Sequence, residues 1–537
     1  MKRNLRIKGR ATLPLLAVLL AAVLASCEYK APKDPETLVW HLGAEPDILN
    51  PITSTDAYAS RIESLIYDSL IERDNETLEW KPKMAESWEV SPDKLHFTFH
   101  LRPGIQWQDG KPVTADDVVY SYERIMDPKV DAPHLRVYYQ DIEKVEKVDD
   151  LTVRFTYKKP YFLALEFCGG IPVIPKHLFD NGEDFNKHSQ NRAPVGNGPY
   201  KFVAWETGRK IVLEKNENYW AIGKLPEKVP AIKKISMEVI AEDTVALQIL
   251  KKGELDFAGL RPIQWVRQTD TPSFKERFNK FQFYTPGYSF IGWNMRSVYF
   301  SDKRVRRAMT MLVNRAQILE KLNFGLGEVV TGPFYFQGKD YDKSVPPIGY
   351  DPEGAKKLLK EAGWEDRDGD GILDKDGKPF RFEFLIPSGR RFAERLSTIL
   401  KEDLSKLGID MQIRRIEWAV FIKNLDERDF DAVTLSWTFG LDQDPYQVWH
   451  SSQAEKGSNF VGFKSARVDA LIEAGRTEFD REKRAAMNRE IHRLVDEEQP
   501  YTFLFASPAL VALQKRFTNV KVYPTGMDTL EWRIDVP

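Results

Sequence analysis

Two cysteines, Cys27 and Cys168, are all that the 537 residues carry. No disulfide framework can therefore brace the fold, whatever the redox compartment. A dominant charge is missing too. The 78 basic and 80 acidic residues leave a formal net charge of −2, which excludes the basic footprint of a nucleic-acid binder. Past residue 27 no stretch has the about 20 apolar residues of a membrane-spanning helix. Catalytic signatures are also absent: there is no Gly-x-Ser-x-Gly elbow, no His-Glu-x-x-His pair and no Walker loop. The eight histidines are scattered. His96 and His100 share one strand face without further ligands, and His177 reads as structural. With no nucleophile–base pair in view, the chain reads as a non-enzyme. No internal repeat or low-complexity tract is present.

What is there begins at the N-terminus. Residues 1–10 hold five basic residues and no acid, and residues 11–26 hold no charge. Small residues follow, in Leu24-Ala25-Ser26-Cys27. That order is an export signal, 1–26. Its ending resembles the lipobox of bacterial lipoproteins, which implies a diacylglyceryl group on Cys27, the chemistry of a thiolate nucleophile. Residues 27–36 are polar and contain proline, and read as a tether. The alternative is an ordinary signal peptide with a chance cysteine. Either way the mature domain is expected outside the cytoplasm, on the periplasmic side or at the cell surface.

About 510 mature residues exceed one ordinary core, so two or three domains are expected. Residues 38–42, 95–101, 151–157, 201–205, 210–215, 409–416 and 500–505 read as strands. Residues 55–70 and 113–126 read as helices, the latter with Thr114 as N-cap and Asp116 and Asp117 in its first turn. Residues 302–322, 351–362 with Pro352 at the first helical position, 391–407 and 465–497 add further helices. Strands and helices intermix throughout, so the class is α/β. Val195-Gly196-Asn197-Gly198-Pro199-Tyr200 is a dense breaker cluster and a predicted crossing between domains. Cys168, in the apolar run 161–171, is expected to be a buried small hydrophobe.

Several blocks, in order, resemble the family 5 solute-binding proteins of ABC importers. They are Gly43-Ala44-Glu45-Pro46-Asp47-Ile48-Leu49-Asn50-Pro51, Met84-Ala85-Glu86-Ser87-Trp88, Phe97-Thr98-Phe99-His100-Leu101-Arg102-Pro103-Gly104, Trp107-Gln108-Asp109-Gly110-Lys111-Pro112-Val113-Thr114-Ala115-Asp116-Asp117-Val118, Gly196-Asn197-Gly198-Pro199-Tyr200, Asp302-Lys303-Arg304-Val305-Arg306-Arg307-Ala308 and Asp444-Pro445. Asn314-Arg315 stands where the family usually has Asp-Arg. The resemblance implies a two-lobed, periplasmic-binding-protein-like fold of the larger type, hinged between lobes. On that basis lobe 1 maps to 37–80, 196–285 and 506–537, an inserted subdomain to 81–195, and lobe 2 to 286–505. It further implies a monomer that captures a peptide between the lobes and delivers it to a membrane permease. Relatives also take nickel chelates, oligosaccharides and haem, so a non-peptide solute or a ligand sensor stays open.

The resemblance also carries ligand-contact expectations. Thr55, Asp56 and Ala57, with Ser436, Trp437 and Thr438, match strand-pairing segments. Asn294 matches a cleft-facing position, and Trp418 a cleft-adjacent one. His134 and Tyr138 lie in a stretch that walls the cleft in relatives. Peptide-binding relatives carry an aspartate three residues past the matching tryptophan, paired with the peptide's amino group. Here that position is Gly440, with Asp442 close by as a substitute. The alternatives are a core place for the tryptophans and a turn role for Asp442. Binding requires no cofactor. Asp366, Asp368, Asp370 and Asp374 nevertheless have the spacing of a calcium loop, with Gly371 at its sixth position and Gly377 where a bidentate Glu belongs. The alternative there is an acidic turn in a surface hairpin.

Overall fold

The computed structural model describes residues 34–535. The predicted export signal, Cys27 and the tether up to residue 33 lie outside the described residues. Three sheets organise the chain. The largest has seven strands in the order Phe278–Phe283, Ala509–Gln514, Phe257–Gly259, Thr37–Leu42, Lys234–Val239, Lys210–Lys215 and Tyr200–Glu206. Thr37–Leu42 runs parallel to both of its neighbours. It is buried at five of its six residues, as a strand covered on both faces must be.

The second sheet has five strands, Asp410–Ile416, Arg381–Pro387, Ala432–Thr438, Gly287–Trp293 and Tyr501–Phe503. Its two faces carry separate cores. Ile291, Phe384 and Leu396 pack on one side, and Phe290, Leu385 and Phe421 on the other. Successive strand residues fall on opposite faces because the side-chain period is two. A third sheet of four antiparallel strands lies within 85–157. Phe97 and Phe155 from it share one continuous core with Leu38, Ile62 and Trp532 of the seven-stranded lobe. The molecule is thus a two-lobed α/β protein. The chain passes between the lobes through 284–286 and 507–508, and each connection contains a proline, Pro286 or Pro508.

Two long helical patterns are interrupted. Residues 302–322 form Lys303–Met311 and Arg315–Asn323, because the Asn314 side chain accepts the N–H of Gln317 and starts a new helix. Residues 465–497 likewise divide into Ala466–Thr477 and Arg481–Glu498, with Asp480 capping the second. A polar side chain inside an apolar pattern thus outcompetes helix continuity. At Thr114 the structure has a capping box, in which Asp117 accepts the Thr114 N–H at 2.9 Å. The breaker cluster presses on the end of helix Ala57–Ile66. Gly198 N–H donates to the Ile66 carbonyl at 2.8 Å, and a Cβ on Gly198 would lie 2.7 Å from that oxygen. Cys168 is fully buried, with its thiol 3.9 Å from the Tyr157 hydroxyl. Among the described residues no helix is long and apolar enough to cross a membrane.

Candidate ligand cleft

On the first lobe, Asp56 is the N-cap of helix Ala57–Ile66. Its Oδ1 accepts the N–H groups of Tyr58 and Ala59 at 2.9 and 2.8 Å. That oxygen is committed to the helix, which leaves Asp56 its backbone and Oδ2 to offer a ligand. Thr55 and Ala57 on either side are exposed.

On the second lobe, strand Ala432–Thr438 pairs along its whole length with Gly287–Trp293. On its other side it meets Arg381–Pro387 only at Ala432 and Val433. From Thr434 to Thr438 that side has no strand partner among the described residues. Ser436 and Thr438 are exposed there, and the open edge offers main-chain donors and acceptors to an added strand. Trp437 is half-buried. Its ring lies parallel to Phe290 and to Phe460, with centroids 6.4 and 6.0 Å away, and its indole N–H approaches the Tyr501 hydroxyl at 3.5 Å. Its side chain belongs to the edge of the core. Trp418 is different: 46% exposed, it stacks on Phe421 with Arg390 over its ring.

The expectation for Asn294 is corrected. Only 4% of it is exposed. Its amide donates to the Phe430 and Arg428 carbonyls at 2.7 and 3.3 Å, and its Oδ1 accepts from Arg296 N–H at 3.1 Å. A buried amide with both donors and its oxygen engaged locks a loop and does not face a ligand.

Asp442 is no free carboxylate either. Arg73, from the first lobe, donates to its Oδ2 at 2.6 Å, and Arg481 Nε lies 3.4 Å from its Oδ1. The same Arg73 nitrogen reaches Glu166 at 2.7 Å. Around this bridge the inserted subdomain touches the second lobe repeatedly. Tyr161 donates to Asp444 at 3.0 Å, Phe162 N–H donates to the Arg476 carbonyl at 2.9 Å, and Arg484 lies over the Phe162 ring at 4.2 Å. Tyr138 stacks on Phe167, 4.6 Å away, behind this contact, and His134 is half-buried on the same helix. Burial pushes the Glu166 carboxyl above the usual carboxylate range, against the pull of Arg73. No motif picks out Arg73 or Glu166. The one sequence signal for Glu166 is that it is the sole acid in the apolar run 161–171.

A cavity of about 1310 Å³ lies in the first lobe and reaches from the inter-lobe connections to Arg73. Tyr58, Arg61, Leu260, Arg261, Thr285 and Pro508 are among its lining residues, and none of the expected ligand contacts lines it. Its walls come from segments more than 400 residues apart in the chain, beyond the reach of any local pattern. At a separate place, a carboxylate oxygen from each of Asp366, Asp368, Asp370 and Asp374 lies within 4.8 Å of the others. Asp366 is held by the Gly369 and Gly371 N–H groups at 2.8 and 3.1 Å, while Asp374 Oδ2 is buried without a partner among the described residues. An all-oxygen set of this kind suits a hard divalent cation.

Comparison with known proteins bears on the cleft. Residues 79–459 match the family described as bacterial extracellular solute-binding proteins, family 5 Middle. The oligopeptide-binding protein AppA of Bacillus subtilis is 32% identical over 89% of this chain and 88% of its own length. Haem-binding protein A of Haemophilus influenzae is 26% identical over 97% of this chain and 98% of its own. The solved structure of Bacillus subtilis AppA in complex with a nonapeptide superposes with a TM-score of 0.80 at 29% identity, covering 93% of this chain and 99% of that one. A two-lobed fold, with a family match over most of its length, places this chain among the bacterial extracellular solute-binding proteins of family 5.

Proposed function

We propose that this protein is the extracytoplasmic receptor of an ABC importer, binding a peptide between its lobes and delivering it to a membrane permease. The observation that carries this reading is the open edge from Thr434 to Thr438 beside the inter-lobe bridge. A peptide main chain added there is held whatever its side chains, which suits a receptor for many sequences. Lobe closure converts ligand binding into a shape that a permease can read. The protein acts as a monomer and binds without catalysis.

The anchor belongs to the same reading. Lipid on Cys27, with the tether up to residue 36, keeps the receptor at a membrane, since two or more acyl chains hold stably where one does not. Cys27→Ser then releases the protein from the membrane fraction, and unchanged association removes the anchor. Asp366, Asp368, Asp370 and Asp374 would hold a calcium ion in a structural role, stiffening the loop before strand Arg381–Pro387. Calcium raises the melting temperature of the wild type and not of Asp370→Asn if this holds.

Thermal shift against di- to octapeptides tests the function. A ligand at 100 times its Kd adds about 2.7 kcal/mol of stability. No shift with any of them removes the peptide reading. The haem-binding relative, matched over 97% of this chain, supports a second reading, a non-peptide solute in the same cleft. Native mass spectrometry of the purified protein distinguishes the two by the mass retained.

A further inference from the structure

Helix Ala57–Ile66 turns one face to the cavity of the first lobe. Tyr58, Arg61, Ser64 and Leu65 line it, as the three- and four-residue spacing of a helix face requires. The Arg61 guanidinium lies over the Trp40 ring, 5.3 Å from its centroid. Trp40 meets Phe257 edge-on at 5.2 Å, and Phe257 meets Trp532 at 5.4 Å. All three rings line the cavity, so an aromatic wall continues from Arg61. The Tyr58 hydroxyl sits against Gly43, where a Cβ would lie 2.6 Å from it.

Eight lysines and arginines line this cavity, and seven are already served. Lys81 pairs with Asp74, Lys83 with Asp68, Lys228 with Glu72, Arg261 with Asp243 and Lys521 with Glu76. Arg73 has Glu166 and Asp442, and Arg533 donates to the carbonyls of Leu530, Glu531 and Trp532. Arg61 has no carboxylate or carbonyl partner among the described residues, and the Tyr58 hydroxyl has no hydrogen bond there either. Arg61 is exposed within the cavity, yet partial loss of water around it holds its guanidinium below its ordinary value. The charge is short of water and of anions alike, and a guanidinium does not shed its proton to escape.

We propose that this cavity is a binding compartment for a carboxylate, held by the Arg61 fork with the Tyr58 hydroxyl as a second donor. A guanidinium gives a carboxylate two parallel N–H bonds. The aromatic wall suits an apolar body behind the acid. A dianion would overcompensate Arg61, so a carboxylate is favoured over a phosphate. The cavity reaches the lobe junction at Arg73. Its acid is therefore either an acidic side chain of a peptide held at that junction or a free organic acid. The first source rests on the peptide reading, and the second does not.

The test is native mass spectrometry with two pairs of probes, each pair in competition. One pair is two octapeptide pools, amidated at the carboxyl end and otherwise free of acids, with either Glu or Gln at one varied position. The other is phenylpropanoate and its amide. Wild type is expected to prefer the acid by about tenfold, in the peptide pair if a peptide supplies it and in the phenyl pair if a free acid does. Arg61→Gln abolishes the preference, Tyr58→Phe weakens it, and Arg61→Lys keeps part of it, which guards against a folding defect. No preference in either pair, or one unchanged in Arg61→Gln, overturns the proposal. Inorganic phosphate that displaces the preferred acid at equal concentration overturns the carboxylate assignment. Failure of both peptide pools to bind removes the peptide reading. A preference in the phenyl pair then still supports the compartment, and its absence overturns it.

Discussion

Arg73 on one lobe and Asp442 on the other form an ion pair at 2.6 Å, with 17% and 21% of their side chains exposed. Arg73 also serves Glu166, so its loss strips Glu166 of its side-chain donor and leaves Asp442 with Arg481 alone, whereas loss of Asp442 leaves Arg73 its pair with Glu166. Arg73→Ala is therefore expected to destabilise more than Asp442→Ala. A double-mutant cycle by urea denaturation should give a coupling of about 0.5–3 kcal/mol. Small-angle scattering of ligand-free Arg73→Ala should show a larger radius of gyration, because the bridge holds the lobes together.

Glu63 should make stability fall with rising pH. It is buried, its Oε1 has no partner among the described residues, and burial raises its carboxyl to about 7 against the pull of the Ser54 hydroxyl. In the unfolded chain it titrates at its ordinary 4.5. Between these values the folded protein keeps a proton that the unfolded chain has lost, so this stabilisation is complete below 4.5 and gone above 7. The loss is about 3 kcal/mol. His492 has the opposite sign: burial lowers it to about 4 from 6.5, so stability rises with pH across that window. The two groups thus oppose each other in the pH profile. Glu63→Gln removes one of them, and should exceed wild type in stability at pH 8 and match it at pH 4.5 in urea melts.

Gly198→Ala should destabilise by about 1–3 kcal/mol. The new methyl would meet the Ile66 carbonyl oxygen at 2.7 Å and its carbon at 2.8 Å. Both are backbone atoms at a helix end, where no rotamer change relieves the clash. Gly208→Ala is no matched control, since its φ of +71° brings strain of its own; Gly259→Ala, with open space and ordinary φ, is one.

Asn294→Ala should lower stability and leave peptide affinity untouched once the protein is folded. Its amide satisfies two carbonyls and one N–H, and each buried group left unpaired costs about 1–3 kcal/mol. A melting curve and a peptide titration below the transition read the two effects separately.

The elements were legible where pattern and caps agree. Thr114 with Asp117, Pro352 with Asp351, and the alternation of 96–101 each mark their element locally. Where a polar residue breaks a periodic run, as Asn314 does, the pattern alone joins two helices into one. The site was legible only as backbone. The segment Ser436-Trp437-Thr438 is the open edge, yet the Trp437 side chain turns to the core and Asn294 is spent on carbonyls. What the sequence could not show is pairing across the junction. Arg73, Glu166 and Asp442 come from segments 93 and 276 residues apart by number, and Asp442 joins the other two only across the junction between lobes.

Hydrogen exchange on residues 432–438, with and without saturating octapeptide, tests the central claim most directly. If a peptide adds to the open edge, amides between Thr434 and Thr438 exchange more slowly in its presence, while the paired amides at Ala432 and Val433 change little. A peptide that binds, shown by its thermal shift, yet leaves exchange at 434–438 unaltered would contradict the account.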